Sequence, residues 1–253
     1  MTELGAAVLA SFAAAVVNAI AGGGGLVSIP ILFGVFPHAA PATLFGTNKS
    51  AMVWGTLWAS VSYARHVRLP WATLLPAVAA ALAGGCLGAW LVSQVSGAWL
   101  RQALPVMLAA VLVVTLLEQE LGKHHAPRHG ARVEAFWATL IAAGLGVYDG
   151  FFGPGTGSFF IFLFVRVLGF DFLHAVASAK VLNTATNLAS LSVFAWSGHV
   201  WWQFMIPMAV ANVLGSIVGT RLALKHGSGF IRVVFAGVVG ILILKTGYDA
   251  YVR

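Results

Sequence analysis

Lys49 and Lys180 are single cations inside long stretches without other charge, and each has amide and hydroxyl neighbours. Thr47, Asn48 and Ser50 flank the first. Ser178, Asn183, Thr184 and Asn187 surround the second, with Asn183 and Asn187 at i+3 and i+7 on the helical face of Lys180. An ammonium beside amide and hydroxyl donors supplies the groups that replace water around an oxyanion. The spacing therefore predicts anion chemistry, with Thr47, Asn48, Lys49, Ser178, Lys180, Asn183 and Asn187 as substrate contacts. A buried ammonium costs on the order of 3 kcal/mol on insertion scales. Each lysine lies seven residues into its apolar run, about 10 Å deep by helical rise, so snorkelling to the nearer interface stays open as the alternative.

Each lysine follows a glycine-rich break. The first is Gly22-Gly23-Gly24-Gly25; the second is Gly153-Pro154-Gly155-Thr156-Gly157. A break of this kind frees backbone N–H groups, and a helix that begins just after it turns its positive end toward the gap. Gly22, Gly24, Gly153 and Gly155 thus join the candidate substrate site. Asn18 and Asp149 stand immediately before the two breaks. Asp149 is the acid expected inside the membrane, where it pairs with Lys49 or Lys180, caps a helix, or accepts a coupling proton.

The elements that must position these groups are apolar helices. The chain has 253 residues, of which 60% are hydrophobic and 8% charged, and its mean hydropathy is +0.92. A soluble domain carries about a quarter of its residues as charged types, to present a surface that water solvates. Here no Asp, Glu, Lys or Arg occurs over residues 4–48, 69–100 or 181–220. The reading is an all-α polytopic membrane protein. Spans are expected near residues 4–21, 43–63, 71–93, 98–117, 135–152, 174–196, 202–224 and 229–248. Residues 26–36 and 159–168 are left over. Each covers only about half of the roughly 30 Å hydrocarbon layer, as a half-helix or re-entrant piece that must line a cavity or be covered by protein.

The chain also repeats itself. At an offset of 131 positions Gly22 matches Gly153, Gly24 matches Gly155, Lys49 matches Lys180, Trp71 matches Trp202, Pro76 matches Pro207, Gly84 matches Gly215, Gly88 matches Gly219 and Arg101 matches Arg232. About eight transmembrane helices therefore form two tandem four-helix repeats, residues 1–117 and 135–253. Each has a Gly-rich break and a short segment, and a polar connector, residues 118–134, joins them. Four crossings per half give both repeats one orientation, with the N-terminus in the cytoplasm; a fully crossing short segment would invert them. Glycines at small-x3-small spacing on the third span of each half predict close helix contact. The tryptophans read as interfacial belts, with Trp54 and Trp58 deep enough to wall a pore.

Composition and motifs exclude other classes. The net charge of +7 suggests nucleic acid, but the basic residues are dispersed at the ends of apolar runs rather than clustered on one wet face. Enzyme signatures are missing: no H-E-x-x-H, no C-x-x-C, no Ser-His-Asp constellation. The connector holds six of the 21 charged residues, and its His124, His125 and His129 lack the carboxylate or cysteine that would complete a metal site. No cofactor is expected. Cys86 is read as a packed small residue, and the first apolar run belongs to the repeat rather than to a cleaved leader.

The Gly-rich break near the N-terminus, the Gly46-Thr47-Asn48-Lys49 stretch, its partner Ser178-Ala179-Lys180 and the tandem halves resemble the sulfite exporter TauE/SafE family, also described as probable membrane transporter proteins. The resemblance covers essentially the whole chain. It implies a multi-pass protein of the bacterial inner membrane that transports small sulfur-containing anions such as sulfite, sulfoacetate or related organosulfonates, with Asn48, Lys49 and Lys180 contacting the sulfonate. Met52 opposite Asn183 and Ala179 opposite Asn48 break the symmetry, so the halves contribute unequally. The expected partners are the lipid bilayer and a small anionic substrate, with a coupling proton or cation and a homodimer left open. A channel-like anion pore and a non-transporting assembly or sensor subunit remain the competing readings.

Overall fold

The computed structural model describes residues 2–103, 105–106, 128 and 130–226, and over these it is helical. The first half contains α1 (Thr2–Ala21), α2 (Gly25–Val35), α3 (Pro41–Ala64) and α4 (Trp71–Ser93). In the second, α5 (Ala131–Phe151) leads to α6 (Thr156–Leu163), which a π-helical turn over Phe164–Leu168 extends, and then to α7 (Phe172–Trp196) and α8 (Trp202–His226). The expected segments near 4–21, 43–63, 71–93, 135–152, 174–196 and 202–224 are all helices, and both short segments are short helices. The span expected near 98–117 is described, as helix, only over residues 98–103 and 105–106; the rest of it, residues 118–127 and 129 of the connector and the span expected near 229–248 lie outside the described residues. By length and apolarity alone, Thr2–Ala21, Trp71–Ser93 and Trp202–Lys225 are long enough to cross a membrane.

Helix α8 shows how the sequence sorts its faces. Ile206, Val210, Leu214, Val218 and Leu222 recur at i+4 and are exposed, whereas Met208, Asn212, Ser216 and Thr220 occupy the opposite, buried stripe. In lipid the apolar face gains nothing by hiding, so association depends on close packing of small residues. A Cβ on Gly84 or Gly88 would lie 2.6 or 2.1 Å from the Ala143 or Val147 carbonyl oxygen of α5. A Cβ on Gly215 or Gly219 would lie 2.3 or 2.5 Å from the Phe12 or Val16 oxygen of α1. Only glycine allows either approach.

These contacts also fix helix direction. Moving along α8 from Met208 to Gly215 to Gly219, the partners on α1 advance from Ser11 to Phe12 to Val16, so α1 and α8 run in parallel. Helix α3 also follows α8, with Thr43 at His199, Thr47 at Trp201 and Gly55 at Asn212 and Ser216. On the other side Thr73 meets Glu134, Gly84 meets Ala143, and Gly88 meets Val147, so α4 and α5 run in parallel too. After a six-residue connection, residues 65–70, α4 starts at the end of the bundle where α3 finishes and runs back along α5 and α7, which sets α4 and α5 against α1, α3 and α8. Corresponding helices of the halves therefore run in opposite directions, correcting the expected common orientation.

The cause lies at the breaks. Helix α2 does not continue outward from α1 but doubles back. Gly24 sits against the Ala14 oxygen and the Asn18 side chain, and Phe36 reaches the rings of Trp201 and Phe204 at the start of α8. In the second half the π-turn returns to the beginning of α5, where the Arg128 N–H donates to the Leu168 oxygen. Each pair is a re-entrant hairpin, and the two hairpins enter from opposite ends of the bundle. Exchanging α1–α4 for α5–α8 maps the α1/α8 contact onto α5/α4 and the α3/α8 contact onto α7/α4, while α3/α7 maps onto itself.

Local capping supports the entry to α7. The Asp171 carboxylate accepts the His174 backbone N–H at 2.9 Å and ion-pairs with the His174 ring. Partial burial pushes this carboxyl up, but the hydrogen bonds and charge of His174 outweigh that and hold it below the ordinary carboxylate range. A lowered carboxyl contributes stability above its unfolded pKa and loses it as pH falls through the folded value. Asp171→Ala is expected to cost about 1 kcal/mol at neutral pH and to remove this acid-side decline, as thermal melts across pH would show.

Tryptophan exposure separates two expectations. Trp71, Trp90, Trp99, Trp137, Trp196 and Trp202 are exposed near helix ends, as belt residues would be. Trp54 and Trp58 are also exposed, on the outer face of α3, so they do not wall a pore. Cys86 is half-buried, with its thiol toward the Ala189 oxygen.

Candidate functional site

The hairpin tips touch in the middle of the bundle. Gly22, at φ +80°, lies so close to Gly157 that a Cβ would stand 2.3 Å from its carbonyl carbon, and Gly25 packs on Pro154. Gly153 and Gly155 adopt φ +93° and +80°, left-handed conformations that turn the chain from α5 into α6 and that glycine adopts without penalty. Helices α2 and α6 both start at these tips, so both positive helix ends lie where the halves meet.

The lysines cross between the halves. Lys49 of α3 forms an ion pair with Asp149 at the end of α5, with Nζ 2.6 Å from Oδ2 and both side chains buried. Lys180 of α7 reaches the other way and donates to the backbone oxygen of Asn18, the position equivalent to Asp149. The same reach is thus built twice, once onto a carboxylate and once onto a carbonyl. Two lysines and one acid thus meet at the tips. Lys180 is fully buried and Lys49 is 5% exposed, so neither snorkels to an interface.

Around the ion pair is a narrow chamber lined by Asn18, Gly22, Gly25, Asn48, Lys49, Met52, Asp149, Gly153, Asn183 and Asn187, with Ile29, Phe45, Phe152 and Pro154 completing its walls. A water-sized sphere can move its centre within about 10 Å³, room for roughly one water molecule. The amides are ordered by their neighbours: Asn187 donates to Asn183 at 2.9 Å, which leaves the Asn183 Nδ2 beside Gly157, and Asn48 Nδ2 points at the Met52 sulfur. Asn18 donates to Thr56 at 3.2 Å, and its own Oδ1, buried, has no partner.

Seven of the residues expected at the site line this chamber together: Gly22, Asn48, Lys49, Asp149, Gly153, Asn183 and Asn187. The others stand behind it. Lys180 backs it through Asn18. Gly24 packs on α1, and Gly155 is the left-handed cap of α6. Thr47 accepts the Trp201 N–H at 3.0 Å, tying α3 to the start of α8 rather than facing a ligand. Ser178 is fully buried with an unpartnered hydroxyl and is not part of the lining. Asn18 was legible as the counterpart of Asp149 but stood outside the expected site. Met52, Phe45 and Ile29 carry no chemical signal in a sequence this apolar. Among the described residues no three His, Cys, Asp or Glu side chains gather to hold a metal ion.

Comparison with known proteins follows the same lines. The family model described as sulfite exporter TauE/SafE matches residues 7–246. A probable membrane transporter protein of Sinorhizobium sp, ORF9, is 37% identical over 225 residues, which is 88% of this chain and 84% of that protein. The probable membrane transporter protein YfcA of Escherichia coli K12 is 34% identical over 249 residues, 98% of this chain and 91% of YfcA. A probable membrane transporter protein of Haemophilus influenzae is 33% identical over 242 residues, covering 94% and 92%. No solved structure gives a significant match.

Proposed function

From a chain that belongs to the sulfite exporter TauE/SafE family, a family of multi-pass membrane transporters, we propose a carrier of small sulfur-containing oxyanions or organosulfonates, sulfite-like or sulfoacetate-like, bound where the hairpin tips meet. The observation that carries this reading is the Lys49–Asp149 pair between the halves, with Lys180 behind it, in a chamber lined by amides. An entering oxyanion competes with Asp149 for the Lys49 ammonium. The Asn48, Asn183 and Asn187 amides and the α2 and α6 helix starts offer it further donors. Asp149, displaced from Lys49, is the proposed coupling group.

A chamber with room for about one water does not hold a sulfur oxyanion as it stands, and this favours a carrier that opens alternately over a standing pore. Residues 1–117 and 135–253 are the two units proposed to move, with residues 118–134 linking them.

The test is purified protein in proteoliposomes, offered sulfite, sulfoacetate, thiosulfate, taurine and sulfate. Saturable uptake of at least one sulfur oxyanion is expected, and the same anion should raise the melting temperature, because a ligand of the folded state stabilises it. Lys180→Met should weaken that anion's apparent affinity at least about tenfold, equivalent to about 1.4 kcal/mol. Uptake of none of the five, or unaltered affinity in Lys180→Met, would count against the assignment.

A further inference from the structure

The inverted halves build the same helix interface twice, and the two copies differ in one respect. On the α4/α5 side the inward positions of α4 are Ala81, Gly85 and Ala89, with Gly85 turned to Thr186 and Ala189 of α7. At the matching positions, on the side that α8 turns to α1 and α3, stand Asn212, which donates to Ser11 of α1, Ser216, which lies with Asn212 against Gly55 of α3, and Thr220. Alanine and glycine satisfy the packing in one copy, so packing does not require the polar groups in the other.

These groups are also poorly satisfied. Asn212 and Ser216 are completely buried and Thr220 is 3% exposed, yet the Asn212 Oδ1, the Ser216 Oγ and the Thr220 Oγ1 have no hydrogen-bond partner. Ser216 and Thr220 forgo even the bond to the carbonyl one turn earlier that Ser and Thr in helices commonly make. Space for water is scarce: a Cβ on Gly55 would lie 2.1 Å from the Asn212 Oδ1 and 2.8 Å from the Ser216 Oγ. A buried polar atom left unpaired loses its hydration with nothing in return. The seam is therefore disfavoured when closed and relieved when wet.

It adjoins the chamber. Asn18 and Met52 line the chamber, Thr56 behind them accepts from Asn18 and donates to the Met52 oxygen at 2.8 Å, and Gly55, next to Thr56 in α3, has Asn212 and Ser216 against it. From there α8 carries Thr220 toward the end of the bundle where α3 and α8 finish and α4 and α5 begin. Arg65, Arg68, Arg128, Arg132, Arg166, Arg221 and Lys225 stand at that end. At the opposite end, among the described residues, stands Arg101, beside Ala39. Such a bias marks the cytoplasmic side, and it puts the start of α1 at the opposite end, against the expected cytoplasmic N-terminus.

We propose that the α1/α8 seam is the chamber's route to the cytoplasm: α8 parts from α1, and Asn212, Ser216 and Thr220 become the wetted lining along which an anionic substrate passes. This rests on the transport reading, but its test needs no substrate. In a Cys86→Ala background, Ser216→Cys and Thr220→Cys are compared with Ala81→Cys and Ala89→Cys, using a charged, membrane-impermeant methanethiosulfonate on inside-out and right-side-out vesicles. Labelling rate follows the fraction of time a site is open, so the seam thiols should react at least about tenfold faster than the control thiols, and in inside-out vesicles. Equal rates for the two pairs, or reaction confined to right-side-out vesicles, would overturn the proposal. The triple variant N212A/S216G/T220A copies the dry seam of the other half. It should melt at a higher temperature while its anion flux falls, and undiminished flux would also overturn it. Rapid seam labelling in a protein that moves no sulfur anion would leave the route standing and refute the substrate alone.

Discussion

Lys49→Met is expected to lower the stability of the protein by about 3–5 kcal/mol, because it leaves a buried carboxylate without its counter-charge. Asp149 is 2% exposed, and Lys49 is its one counter-charge among the described residues. The single variant thus confounds folding with function, and the double variant Lys49→Met/Asp149→Asn separates them. Removing both charges should restore most of the lost melting temperature, since a buried pair replaced by neutral groups of similar volume is close to neutral in stability. It should not restore transport, because the ammonium that an oxyanion would meet is gone. Proteoliposome flux and thermal melts on the wild type and both variants give the answer. A double variant that transports at the wild-type rate would show the pair to be structural cement.

The second large effect is at the contact between the tips. Gly22→Ala places a side chain on a residue with φ +80°, which costs roughly 1–2 kcal/mol for an L residue. It also drives a Cβ to 2.3 Å from the Gly157 carbonyl carbon and 2.5 Å from the Ser158 nitrogen. Both neighbours are backbone, so nothing can swing aside and the hairpins must separate. The expected loss exceeds about 4 kcal/mol, a size reserved for failures of this kind, and would appear as aggregation on gel filtration in detergent. Gly144→Ala, in α5 with open space around the new methyl, is the control. It should be neutral or stabilising by up to about 1 kcal/mol. If the two variants melt together, the tips do not meet as described.

Much of this arrangement was readable from the chain. Apolar runs of about 20 residues, interrupted by glycine and bounded by basic residues, can do little but form helices in lipid, because no other solvent suits their surface and no other backbone satisfies its own hydrogen bonds there. The offset of 131 showed which residues are equivalent, and the isolated Lys49, Asp149 and Lys180 were conspicuous because charge in such a setting is costly. What equivalence could not show is direction. An 11-residue helix after a break is the same string whether the chain continues outward or folds back, and only the contact of Gly24 with Ala14 and of Phe36 with Trp201 decides it.

The sequence by itself therefore determined the helices, their duplication and the charged and amide residues that matter, since burial cost and helical length depend on residue type and spacing alone. The tertiary structure decided that the halves are inverted, that Lys49 rather than Lys180 holds Asp149, and that Thr47 and Ser178 stand outside the chamber. Those outcomes depend on where a side chain of one half lands on the other, and a contact between residues a hundred or more positions apart leaves no mark on the local pattern of either.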